Sequence, residues 1–89
     1  MPRKPSAAAE FIGARIEEAR IKDSMTYDDL ASKTGIDSSN IRSYTSGRAT
    51  PSVQSLIRIS AALGQEPGYF INGLTAELFD LPRRRDKAS

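Results

Sequence analysis

The 89-residue chain has no cysteine and no histidine. The first absence excludes disulfides, thiolate zinc sites and cysteine nucleophiles. The second removes the commonest general base and the commonest metal ligand. Apolar runs stop at three or four residues, too short for a helix that spans a bilayer. Residues 1–9 carry Arg3 and Lys4, yet no apolar stretch of signal-peptide length follows them. No paired-carboxylate pattern, strand-like alternation or internal repeat is visible. These absences point away from an enzyme and toward a cytoplasmic binding domain that needs no cofactor, no metal and no membrane.

What remains is ordinary globular material, 38% hydrophobic and 27% charged, long enough for one core only. The net charge of +2 says little about partners. Its distribution says more. Between residues 36 and 64 the charged residues are Asp37, Arg42, Arg48 and Arg58, a local positive excess, whereas acids gather in residues 10–29 and near the C-terminus. A polyanion would be met around Arg42 and Arg48.

Helical punctuation runs along the whole chain. Ile12, Ile16 and Ala19, with Phe11 beside them, give one apolar face to a helix over residues 8–22. Thr26 is an N-cap with Asp29 three residues on, which starts a helix over 27–34 that buries Leu30 and Ala31, and Gly35 ends it. Asp37 or Ser38 caps a third helix to about residue 46, and Gly47 stops it. Two short helices about a glycine turn form the helix-turn-helix pattern. Val53, Leu56, Ser60 and Leu63, with Ile59 alongside, form the apolar stripe of a fourth helix that Gly64 ends. Pro67 opens a fifth, running through Asn72. The expected organisation is a basic arm (1–7), an all-α domain of about five short helices (8–74), a short helical extension (75–81) and a basic tail (82–89) holding Arg83 to Arg85.

The motifs Met25-Thr26-Tyr27-Asp28-Asp29-Leu30-Ala31, Gly35-Ile36-Asp37-Ser38-Ser39-Asn40-Ile41 and Ser46-Gly47-Arg48-Ala49-Thr50-Pro51-Ser52, with the run from Leu56 to Gly64 after them, carry a family resemblance. In order and spacing the chain resembles the phage lambda repressor and Cro-type helix-turn-helix proteins. That resemblance implies a lambda repressor-like five-helix fold that binds double-stranded DNA, usually as a dimer, to control transcription. Where many members have Gln at the start of each motif helix, this chain has Tyr27 and Ser38. Where the family pairs Arg with Glu, it has Arg20 and the neutral Thr45, which leaves Arg20 for a phosphate or for an acid of the first helix.

The residues support the same reading. Ile41 and Tyr44 fit inward, so Ser38, Ser39, Arg42, Ser43 and Ser46 share the outer face of the third helix. Hydroxyls and one guanidinium suit a phosphate-lined groove. Ser38, Ser39, Arg42 and Ser43 are the candidate base contacts; Tyr27, Asn40, Ser46, Arg48 and Arg20 are the candidate phosphate contacts. Each has a plainer explanation beside it. Ser38 and Ser39 are favoured capping residues, Arg42 and Asn40 are also normal on a solvated face, and Arg3 and Lys4 are either a DNA-wrapping arm or an unbound one. A homodimer on a palindromic operator is expected, with its interface at Tyr69, Phe70, Ile71 and Leu74, because a single short helix cannot bury all of these; the plainer reading is that Thr75 to Leu81 folds back and covers them. The function anticipated is a transcriptional regulator of phage or prokaryotic type, a repressor. The competing class is an antitoxin-like module of the same fold that binds a partner protein through Tyr69, Phe70, Leu74 and Phe79.

Overall fold

The computed structural model describes residues 6–79; the expected arm residues Arg3 and Lys4 and the tail around Arg83 lie outside them. Five α-helices follow one another: α1 (Ala7–Lys22), α2 (Tyr27–Thr34), α3 (Ser38–Thr45), α4 (Val53–Leu63) and α5 (Pro67–Ile71). A single 3₁₀ turn at Ala76–Phe79 closes the described chain, and no strand occurs among these residues. The expected all-α bundle is the fold observed.

Local chemistry sets the helix ends. The Ser6 side chain accepts from the Ala9 N–H at 3.0 Å, so α1 begins at Ala7, one residue before the expected start. Thr26 and Asp29 form a reciprocal capping box, with Asp29 N–H donating to Thr26 Oγ1 at 2.9 Å and Thr26 N–H to Asp29 Oδ2 at 3.0 Å. Gly35 then takes φ +75°, a left-handed conformation that costs a glycine little, and this turns the chain from α2 into α3.

The turn is also held by a buried hydroxyl. Thr34 Oγ1 donates to the Leu30 carbonyl at 2.7 Å and accepts from the Ile36 N–H at 3.1 Å, so a backbone donor just past the helix end is satisfied away from water. Ile16, Leu30, Ile41, Ile59 and Phe70 are the largest fully buried side chains, and they draw α1, α2, α3, α4 and α5 into one core. The longest helix, α1, packs against α3, α5 and the 3₁₀ turn, while α2 is clasped by α3 and α4. The helix-turn-helix pair is thereby packed against α1 and α4.

Two apolar assignments change. Val53, expected in the α4 stripe, is 78% exposed, because it is the first residue of α4 and stands outside the packed stretch that begins at Leu56. Phe70, expected at an exposed seam, is fully buried in the core. Its neighbours follow it inward. Tyr69 meets Phe70 edge to face at 5.0 Å between centroids, and its hydroxyl donates to Glu18 Oε1 at 3.1 Å, while Leu74 packs against the core. Of the anticipated seam, Ile71 stays clearly exposed, at 41%. The apolar surface foreseen for a partner protein loses its central member in the same way.

Candidate nucleic-acid interface

Asp37 caps α3 at its N-terminal end. Its carboxylate accepts from the Ser39 N–H at 3.1 Å and also from the Ser39 hydroxyl. These bonds, the hydroxyl first and then the backbone N–H, hold the Asp37 carboxyl below its ordinary pKa. The start of α3 thus carries a negative charge, and one of its free N–H groups is already taken. The carboxylate offsets the partial positive charge of the helix terminus, and Asp37 is the cap that the sequence offered beside Ser38. Ser39 keeps its oxygen lone pairs for a partner, since its proton goes to Asp37.

Further along α3, Ile41 is fully buried and Tyr44 is half-buried against the core, so the helix turns the opposite face outward. On that face Ser39, Asn40 and Arg42 are exposed and Ser38 and Ser43 are half-buried. The Ser46 hydroxyl, assigned to a phosphate from the sequence, donates to the Ser43 carbonyl at 3.2 Å and closes the helix end. Beyond it the chain folds back onto α3. The backbone N–H groups of Arg48 and Ala49 both donate to the Ser43 carbonyl, at 2.9 and 3.2 Å. Gly47 makes this possible: its φ is +81°, and a Cβ there would lie 2.7 Å from Glu10 Cγ and 3.2 Å from Glu10 Cα. Arg48 is left exposed, with no side-chain partner among the described residues.

Arg20 and Tyr27, both expected at phosphates, are committed elsewhere. Arg20 donates from Nε to Glu17 Oε1 at 2.9 Å, from one terminal nitrogen to Glu17 Oε2 at 2.7 Å and from the other to the Met25 carbonyl at 2.5 Å. Its guanidinium edges are spent on an acid three residues back on α1, the alternative that the neutral Thr45 left open. The Tyr27 hydroxyl donates to Glu17 Oε1 at 3.0 Å and accepts from Thr45 Oγ1 at 3.4 Å. Two guanidiniums lie over the Tyr27 ring, with Cζ of Arg20 4.2 Å and Cζ of Arg42 4.6 Å from its centroid. Glu17 is the residue the sequence reading missed, although its spacing from Arg20 was there to be seen. The Arg20 hydrogen bonds are the largest influence holding its carboxyl below the ordinary pKa; partial burial opposes them, and the Tyr27 hydroxyl adds to the lowering.

The arrangement defines a class, a compact helical domain that presents a turn-linked helix pair on a fixed support. A helix-turn-helix domain profile matches residues 13–74, well over half of the chain. The chain belongs to the helix-turn-helix domain family, the class to which its motifs pointed. Among solved structures it is similar to the restriction-modification controller protein C.AhdI from Aeromonas hydrophila, at 24% identity and a TM-score of 0.68. That likeness covers 70% of this chain and 94% of the controller's, and it speaks to the fold. Among curated proteins, none matches the chain. No helix among the described residues is long and apolar enough to cross a membrane.

Proposed function

We propose that the protein is a sequence-specific transcriptional regulator, a repressor, which reads double-stranded DNA in the major groove with α3. One contrast carries the reading. Arg20 is internally spent, whereas Arg42 and Arg48, on the outer face of α3 and in the loop tied to it, keep every guanidinium N–H without an acceptor among the described residues. An unspent guanidinium beside short hydroxyls suits a groove edged by phosphates.

Arg42 takes a guanine through O6 and N7, a contact worth about 1–3 kcal/mol of discrimination. Ser38, Ser39 and Ser43 are shorter and read adjoining bases at closer range or through water. Asn40 and Arg48 hold phosphates and set the register. The shared fold of a restriction-modification controller is consistent with a regulatory role.

An eight-residue helix is about 12 Å long and covers only a few base pairs, which favours a homodimer on a two-fold operator. Its half-sites lie about one helical turn apart, roughly 34 Å. With Phe70 buried, the seam is drawn around Ile71.

Selection of bound duplexes from a random library, read by mobility shift, tests the proposal. Enrichment of a palindrome is expected, with Arg42→Ala losing preference at one position of each half-site. No shift at low salt would instead favour a protein-interaction module. Solution mass with and without the selected duplex tests the dimer: a one-to-one complex on the full site, bound equally well by Ile71→Glu, would refute it.

A further inference from the structure

Arg42 differs from Arg20 in what holds it. No acid pairs with Arg42 and no acceptor takes its N–H groups among the described residues; its one recorded side-chain partner is the Tyr27 ring. That ring is itself fixed. Tyr27 is the first residue of α2, right after the Thr26 cap, and its ring packs against the core. Its hydroxyl is tied to Glu17 on α1 and to Thr45 on α3, and Arg20 lies over the same ring. Three helices therefore converge on one aromatic group, and the guanidinium it carries belongs to the central residue of the exposed α3 face.

We infer that Tyr27 is a positioning residue for Arg42, a platform that holds the guanidinium over its ring in a pose from which the N–H edge reaches a guanine. The inference rests on the proposed reading of DNA by α3. Contact with an aromatic face attracts a guanidinium while leaving its in-plane donors unspent, so holding and reading are compatible. An exposed arginine loses rotamer freedom when it docks, and a side chain already held loses less. Glu17 divides the labour between the two cations. It neutralises Arg20, which becomes structural, and leaves Arg42 with its full charge and all its donors. The phosphate role first given to Tyr27 is thereby replaced by a role in base preference.

The discriminating experiment compares Tyr27→Phe, Tyr27→Leu, Arg42→Ala and the double variant Tyr27→Leu/Arg42→Ala on the duplex selected by the wild-type chain. Tyr27→Leu should weaken binding about two- to tenfold, the effect of freeing one such side chain. It should relax preference at the same base as Arg42→Ala, with an unchanged salt slope, because no phosphate contact is lost. The double variant should bind no worse than Arg42→Ala alone, and Tyr27→Phe, which keeps the ring, should retain the preference. Losses that are equal on all sequences and additive with Arg42→Ala would overturn the platform while leaving DNA reading intact. A wild-type chain that binds no duplex would overturn both. A readout without DNA guards against an unfolded Leu variant: in the wild-type chain the Arg42 side-chain protons should show an upfield ring-current shift by NMR. Arg42 protons at ordinary positions would overturn the platform whatever the variants do.

Discussion

Gly13→Ala tests the packing that supports α3. Gly13 is buried in the middle of α1, where helix propensity alone makes alanine better by about 0.5–1 kcal/mol. The structure reverses that expectation. A Cβ at Gly13 would stand 2.2 Å from the Tyr44 carbonyl oxygen, with Thr45 O at 3.1 Å and Thr45 C at 3.2 Å. Ordinary Cβ contact begins at 3.4 Å, so the gap must open by 1.2 Å. Every obstructing atom is backbone at the end of α3, and no side chain can rotate aside. Overpacking of this kind costs about 1–3 kcal/mol, and a rigid obstacle belongs at the upper end. After the propensity gain, a net loss of about 2 kcal/mol remains, which for a domain of this size lowers the melting temperature by roughly 10 °C. Urea and thermal unfolding followed by circular dichroism measure it. Gly68→Ala is the control, since Gly68 lies in α5 with nothing within 4 Å of its added carbon, and it should be neutral or slightly stabilising. If Gly13→Ala melts at or above the wild-type temperature, the close approach of α1 to α3 is wrong, and so is the account of what fixes the recognition helix.

Arg48→Ala should weaken binding to all duplexes by similar factors and reduce the salt slope by about one unit, measured by titrations at several salt concentrations. Thr34→Val keeps the shape but strands the buried Ile36 N–H, so it should cost about 1–3 kcal/mol in urea unfolding; a neutral result would mean that the N–H has another partner. Glu17 is more acidic folded than unfolded, so its contribution is full above the ordinary glutamate pKa of about 4.3 and is lost as pH falls through the lower folded value. Melting temperature should therefore drop on acidification below about pH 4, and Glu17→Gln should be less stable at neutral pH with a flatter acid limb; an acid limb identical to wild type would contradict the Arg20–Glu17 pairing.

The legible parts of the fold were those written in short-range chemistry. The limits of α2 and the glycine ends of α2 and α4 follow from residues within one turn of each boundary. The start and end of α5 were legible in the same way, but its buried side was not. Five residues do not define a face, so Phe70 could be placed inside only by contacts with distant helices. Tyr69 is held by Glu18, 51 residues away, a partnership that no local pattern announces. Val53 fits the α4 spacing, but periodicity cannot say where along a helix the core begins. In the candidate site, spacing put Ser38, Ser39, Arg42 and Ser43 along one helix, whereas the fate of Tyr27 depended on α1 and α3 meeting over it. The Glu17–Arg20 pair was different. Its three-residue spacing was legible and was overshadowed by the family's missing Glu.

Asp37 sets the electrostatics of the α3 entry, and its removal gives the sharpest test of how that end approaches DNA. The carboxylate is exposed and stays ionised, because the Ser39 hydroxyl and N–H favour the charged form. Asparagine caps a helix about as well as aspartate, so Asp37→Asn should preserve α3 and alter mainly the charge. With the α3 entry in the groove, the lost charge had faced phosphates. For so exposed a charge the repulsion is weakened by water and by salt, so its removal changes affinity only modestly. Asp37→Asn should therefore tighten binding to every duplex by a few-fold at low salt, and the gain should shrink as screening rises. A loss confined to one base position would identify Asp37 as an acceptor for a cytosine amino group instead. Unchanged affinity at all salt concentrations would mean that the start of α3 does not come near the DNA backbone, and the orientation proposed for the recognition helix would have to be abandoned.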